Sequence, residues 1–297
     1  MRLFDLHADT AVKLCLDGIP FSEGDRLALS ADDLPVWECI TQVFAVFSRP
    51  RYSDEDAYRI FFKVREHLLA ECATAKGHLK AILAVEDARL LCGIRERLSV
   101  LYQHGVRILT PVWRGETVIG GAYDTESGLT EFGKEITEDC FSLGILTDVS
   151  HASQKTFYEM AEAAAKHKAP LIASHSNSHA VCKHPRNLTD AQFEVIRVFG
   201  GLIGLCLCPE HITERPAVHR RDVLRHLDHW LALGGEETVA FGTDFDGTGS
   251  LPEGLTRNRE LLAFSDEMAR LGYSDTLIRK LYYRNAEAFF EKHLKIK

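Results

Sequence analysis

Short apolar runs, each ending in a polar or charged residue, alternate with stretches of helical period along the whole chain. That alternation is what βα units around a parallel sheet produce: a strand covered on both faces reads as a continuous apolar run, and its covering helix as an amphipathic one. Strand-like runs lie at Leu3–His7, Cys39–Phe47, Leu79–Glu86, Val106–Val112, Ile145–Ser150, Leu171–His175, Leu202–Leu207 and Val239–Asp244. Helices are predicted at Asp54–Ala75, Leu90–His104, Glu131–Leu143, Gln154–His167, Asp190–Val198, Arg221–Leu233 and Arg257–Leu271, followed by Asp275–Arg284 and Ala286–Leu294. Ser53, Ser153 and Ser274 stand where helix N-caps belong. Eight strands close a (β/α)8 TIM barrel, and 297 residues suit one barrel domain over 1–297. An open doubly wound sheet is the alternative, but the Gly-rich dinucleotide turn is missing after the first strand.

In a barrel of this kind the active site lies where the C-terminal ends of the strands converge. Asp5, His7 and Asp9 fall at the end of the first strand, and Glu86 ends the third. His151 follows the fifth, His175 ends the sixth, and Asp244 with Asp246 closes the eighth. Three imidazoles with carboxylate oxygens suit zinc or a similar divalent ion, and a carboxylate shared between two ions can hold them about 3.5–4 Å apart. In the His7-x-Asp9 pair, side chains two apart on a strand point to one face.

Taken singly, a strand-end histidine is usually a hydrogen-bonded packing residue and an Asp near a turn usually caps or satisfies it. Taken together, His7, Asp9, Glu86, His151 and His175 at one rim are not explained by packing, because unpaired buried charges are costly. They are the candidate metal ligands. His67, His78, His104, His167, His219, His226, His229 and His293 are expected to face solvent. His179 and His184, after the sixth strand, come within reach of a substrate without being ligands.

A formal net charge of −8 argues against a nucleic-acid partner, whose phosphates recruit basic faces. No stretch is apolar for the ~18 residues of a membrane span, and the opening Met1–His7 lacks a secretory signal's apolar run. The eight cysteines are scattered without a C-x-x-C pair, so reduced thiols in a cytoplasmic protein are expected.

The chain resembles the membrane (renal) dipeptidase family, zinc metallopeptidases of the amidohydrolase-like barrel type. The resemblance rests on Asp5-Leu-His-Ala-Asp9, Ala84-Val-Glu-Asp87, Thr147-Asp-Val-Ser-His151, Ala173-Ser-His-Ser176, His184-Pro-Arg-Asn187 and Gly242-Thr-Asp-Phe-Asp-Gly247, in the family's order. It implies two Zn2+ ions per chain, one on His7 and Asp9, the other on His151 and His175, with Glu86 bridging. It implies hydrolysis of dipeptides, D-residues at the C-terminal position included, by a metal-bridging hydroxide. Asp244 then handles the proton of the attacking water, and Arg186 takes the substrate's free carboxylate. Asn187 and Asp246 flank these positions in support, and a homodimer is implied as well.

Two positions depart from the pattern. Trp113 stands where relatives of the mammalian enzyme carry a substrate-binding histidine, and Cys206-Leu-Cys208 where many relatives have an aromatic. Trp113 is therefore a candidate substrate contact with an altered role. It keeps open a second reading, another binuclear metal-dependent amidohydrolase or lactonase with a different small substrate. A metal-stabilised binding protein is a third reading, which the complete ligand set with Asp244 disfavours.

Overall fold

The computed structural model describes residues 1–75 and 77–294. Eight strands form one sheet: β1 (Arg2–Ala8), β2 (Cys39–Phe47), β3 (Leu79–Glu86), β4 (Val106–Thr110), β5 (Leu146–Thr147), β6 (Ile172–Ala173), β7 (Leu202–Leu205) and β8 (Val239–Phe241). Their order is β5-β4-β3-β2-β1-β8-β7-β6, and every ladder is parallel. A parallel bridge between Asp148 and Ile172 joins the two ends of this order, so the sheet closes into the expected α/β barrel. Beyond its first residues, β1 is buried throughout, which is why it reads as an unbroken apolar run around Asp5 and His7.

The helices are α1 (Thr10–Leu16), α2 (Asp54–Thr74), α3 (Glu96–Gln103), α4 (Glu131–Leu143), α5 (Gln154–His167), α6 (Asp190–Val198), α7 (Pro209–Ile212), α8 (Arg220–Ala232), α9 (Glu260–Arg270), α10 (Asp275–Arg279) and α11 (Asn285–His293). The serine caps form as expected: Ser53, Ser153 and Ser274 accept the backbone N–H of Asp56, Thr156 and Leu277. On α5, Phe157, Met160, Ala161 and Ala164 give the 3–4 spacing of a buried face. Each large apolar side chain buried this way contributes about 1.5–3 kcal/mol.

Several expectations need correction. Helix α1 went unpredicted, because seven residues bounded by Asp9 and Asp17 are too few to show a clear period. The helix expected over Leu90–His104 starts late: Ala88–Leu91 is a 3-10 turn ended by Cys92 and Gly93 in the left-handed region, and regular helix begins at Glu96. The expected break before Ala286 is absent, since a π turn over Lys280–Arg284 carries α10 directly into α11. Strands β5 and β6 are two residues long, much shorter than the apolar runs that announce them, and just past them Ser150, Ser174 and His175 give their N–H groups to side-chain oxygens. His226 is fully buried on α8, accepting from the Ser178 N–H at Nδ1 and bonding the Ile212 carbonyl through Nε2. Burial pushes its pKa down to about 4. No helix among the described residues is long and apolar enough to cross a membrane.

Candidate active site

Glu86 is the last residue of β3 and pairs with Phe47 of β2, whereas His7 lies where the register of β1 against β2 shifts, its carbonyl accepting the Asp244 N–H at 3.1 Å. Asp9 occupies the N-cap position of α1 but makes no capping bond with its side chain, which turns into the barrel mouth instead. His151 follows β5 in a left-handed backbone conformation (φ 69°), and His175 lies two residues past β6. Asp244 follows β8, also left-handed at φ 60°.

These elements bring the candidate ligands together. His7 Nε2 stands 3.3 Å from Glu86 Oε2 and 3.6 Å from Asp9 Oδ2. Glu86 Oε1 stands 3.0 Å from His151 Nε2 and 3.7 Å from His175 Nε2, and these two nitrogens face each other at 2.9 Å. Each imidazole is anchored through its other nitrogen: His7 and His175 to Ser174 Oγ at 3.2 and 2.8 Å, and His151 to the Trp113 carbonyl at 3.0 Å. With Nδ1 anchored outward, all three rings turn Nε2 inward, the arrangement that metal-binding histidines adopt.

Charge points the same way. Burial raises Glu86 above the ordinary carboxylate range, and Asp9 beside it adds to the shift. Burial lifts Asp244 well above that range as well, with Asp9 and Glu86 reinforcing it. Burial resists a charge on His7, yet Glu86 and Asp9 outweigh it and lift its pKa well above 6.5. Burial holds His151 and His175 well below that value, neutral and able to donate a lone pair. Three carboxylates crowded into a buried site call for cationic charge. Among the described residues, His7 Nε2 and Asp9 Oδ1 find no hydrogen-bond partner. His7, Glu86 and His175 form one ligand cluster, and His7, Asp9 and Asp244 another. The donor set fits divalent metal ions.

The site opens on a cavity of about 220 Å³, lined by Asp9, Glu86, His151, His175, Asp244 and Trp113 together with Val12, Lys13, Phe47, Arg49, Asp246 and Gly247. Trp113 packs on Phe47 with ring centroids 4.9 Å apart, forming an apolar wall. Its carbonyl also orients His151, so this position serves the site through its backbone as well. Gly247 lets the chain pass close: a Cβ there would run into both Asp244 Oδ1 and Asp9 Oδ2.

The other predicted residues take different places. Arg186 is buried beside the cavity, where Nη2 donates to the His175 carbonyl at 3.3 Å and the guanidinium lies 5.8 Å from the Tyr123 ring. Its Nε has no partner among the described residues. Asn187 donates Nδ2 to the Cys182 and His211 carbonyls, fixing the loop that carries Arg186. Asp246 accepts from Thr10 Oγ1 and the Ala28 and Leu29 N–H groups and pairs with Lys13, tying the turn after β8 to α1. Asp5 accepts the Thr243 N–H and hydroxyl, a cross-link between β1 and the end of β8.

Sequence reasoning missed three residues and gave Cys206 no role beyond its departure from the family pattern. Asp148 and Ser174 sat inside the quoted motifs, but only the fold shows them holding ligands. Cys206 Sγ lies 3.8 Å from Asp244 Oδ2 and 3.6 Å from His211 Nδ1. His211, its ring centroid 4.5 Å from that of His184, carried no distinguishing signal, and burial drives its pKa down to about 2.

A family model for membrane dipeptidase (peptidase family M19) matches residues 59–293. The chain belongs to the membrane dipeptidase family. It is 35% identical over 222 residues to an uncharacterized Klebsiella pneumoniae protein from the pqqA 5′ region, covering 70% of this chain and 79% of that one. It is 27% identical to human dipeptidase 3 over 77% of its own length, and spans 48% of that relative. Among solved structures, it is similar to dipeptidase AC, an M19 metallopeptidase (29% identity, TM-score 0.88, 99% and 98% of the two chains). It is equally similar to a Rhodobacter sphaeroides metallopeptidase liganded with a phosphinate mimic of L-Ala-D-Ala (28% identity, TM-score 0.88, 99% of each chain). Membership makes this chain a metal-dependent hydrolase of the dipeptidase type.

Proposed function

We propose that the chain is a zinc-dependent dipeptidase that hydrolyses the peptide bond of free dipeptides, including those with a C-terminal D-residue. One observation carries this reading: three inward-turned Nε2 atoms meet the Glu86 carboxylate at 3.0–3.7 Å in a buried pocket. His7 and Asp9 would hold one of two zinc ions and His151 and His175 the other, with Glu86 bridging. Ions held there supply a water that ionises near neutral pH and polarise a substrate carbonyl.

The remaining work falls to the protein's own groups. Asp244 stands at the cavity edge with its carboxyl raised by burial, suited to take a proton from the attacking water and return it to the leaving amine. Arg186, with Nε unpartnered among the described residues, would bind the substrate's free C-terminal carboxylate and so limit the substrate to a short chain. Asn187 supports its loop. Trp113 and Phe47 would face the substrate's side chain and exclude water. A cavity of about 220 Å³ lies below the ~300–1,000 Å³ of drug-sized sites and favours a small substrate. The phosphinate ligand of the Rhodobacter sphaeroides relative supports a D-residue at the second position.

Eight free thiols support a reducing, cytoplasmic setting, and light scattering would test the homodimer implied by resemblance. Trp113 favours one second reading, an amidohydrolase or lactonase acting on another small substrate at the same ions. A panel of L,L- and L,D-dipeptides, N-acyl amides and lactones on zinc-loaded protein separates the two. In Arg186→Leu, KM for free dipeptides is expected to rise about 100-fold, in line with the several kcal/mol lost when a buried charge pair is broken. An unchanged KM removes Arg186 from substrate binding.

A further inference from the structure

We infer that Ser174, held by Asp148, fixes the ring orientation and tautomer of both His7 and His175, so that one hydroxyl couples the two ion sites. The inference rests on assigning these histidines to two different ions and does not depend on which bond the enzyme hydrolyses.

The argument is an accounting of protons. Asp148 Oδ1 accepts the backbone N–H groups of Ser150 and Ser174, both at 2.9 Å. Its Oδ2 accepts the Thr110 hydroxyl at 2.7 Å and the Ser174 hydroxyl at 2.6 Å. Every neighbour of this carboxylate is a donor, which fixes both its orientation and the direction of the Ser174 O–H. Having given its one proton to Asp148, Ser174 Oγ can only accept. Its partners are His175 Nδ1 at 2.8 Å and His7 Nδ1 at 3.2 Å, so both nitrogens carry hydrogen. Ser150 Oγ is a more distant neighbour at 3.4 Å and itself accepts the His175 N–H.

A ring protonated at Nδ1 presents a bare lone pair at Nε2, and those are the atoms turned toward Glu86. The two rings lie with centroids 3.8 Å apart and planes tilted by 39°, close enough for one oxygen to serve both. Asp148, Ser174, His7 and His175 are all at most 1% exposed, so the hydroxyl and not bulk water serves both rings. His151 depends on the Trp113 carbonyl instead and serves as an internal control.

Zinc binding is read by competition with a chromogenic chelator, and the imidazole N–H protons by NMR of the zinc-loaded protein. In Ser174→Ala both ions are expected to bind about 10–100-fold more weakly. The Nδ1–H signals of His7 and His175 should move upfield as their hydrogen bonds to the hydroxyl are lost, while that of His151 stays in place. Asp148→Asn should move both readouts the same way, because its amide N–H groups would face donors. Ser176→Ala, one residue past His175, should leave affinity within about threefold of wild type. Wild-type affinity at both sites in Ser174→Ala, weakening at one site only, or binding of a single ion by the wild type overturns the coupling. If both variants fail to fold, the wild-type spectrum decides: a missing Nδ1–H on His7 or His175 overturns the inference and its presence on both upholds it. Failure of the dipeptidase reading would appear separately, as no turnover on the substrate panel, and leaves these readouts standing.

Discussion

Strands β1, β2 and β3 run seven, nine and eight residues, whereas β5 and β6, across the rim, run two each. On the long side, a continuous ladder from Ile40–Leu79 to Phe47–Glu86 delivers Glu86 to the site, and β1, paired with β2 up to Asp5 and again at Ala8, carries His7 across a shift in register. On the short side, His151 and His175 lie beyond the ladder, and side chains hold them: Asp148, Ser174 and Ser150, with the Trp113 carbonyl. Backbone strands carry the candidate ligands in on the long side, a polar network holds them on the short side, and Ser174 reaches from that network across to His7. Past the strand ends on both sides, the backbone takes conformations that a ladder does not. Asp87, His151, Asp244 and Asp246 all adopt positive φ of 60–70° at the rim. Left-handed backbone at a non-glycine residue costs about 1–3 kcal/mol and persists where the surroundings enforce it.

The largest test removes the residue that joins the two sides. Glu86→Ala is expected to lose bound metal at both sites and to drop dipeptide turnover below detection, as read by elemental analysis and steady-state kinetics. A variant that keeps two zinc ions and full turnover breaks the bridging assignment. Next in size is Gly247→Ala, whose methyl would press on Asp9 and Asp244 together. Misplacing catalytic groups by about 1 Å can cost about 10²-fold, and a loss of that order in kcat/KM is expected with little change in Tm. Wild-type kinetics would show that the two carboxylates need no such close approach.

The smallest effect sharpens the contrast between the sides. Asp5 and Asp148 are both buried carboxylates satisfied by donors, but Asp5 belongs to the long ladder. Asp5→Asn is expected to cost about 1–3 kcal/mol of stability through its unsatisfied partners while leaving zinc affinity nearly unchanged. Denaturant melts and zinc titration check both halves. A fall in zinc affinity as large as that of Asp148→Asn would mean that Asp5 holds the site as Asp148 does, and would erase the contrast between the two carboxylates.

Most of the rim was legible in the sequence, because strand ends carry their ligands at positions the apolar runs announce. His7, Glu86 and Asp244 end such runs, and His151 and His175 lie within a residue of the ends read for the fifth and sixth strands. The supporting residues were not legible. Ser174 and Asp148 look like any small polar residues near a turn, and their meaning lies in contacts that span 26 positions of chain between the two and 167 between Ser174 and His7. His226 was expected to face solvent from its place on a helix, yet its partners Ser178 and Ile212 come from elsewhere in the chain.

The sequence by itself determined the barrel and the identity of the candidate ligands, since hydrophobic period and residue chemistry are local properties. Only the tertiary structure decided how those ligands are held. That includes Arg186 beside the cavity, Cys206 against Asp244, and a single serine between two histidines. Contacts between residues far apart in the chain leave no period and no fixed spacing to read.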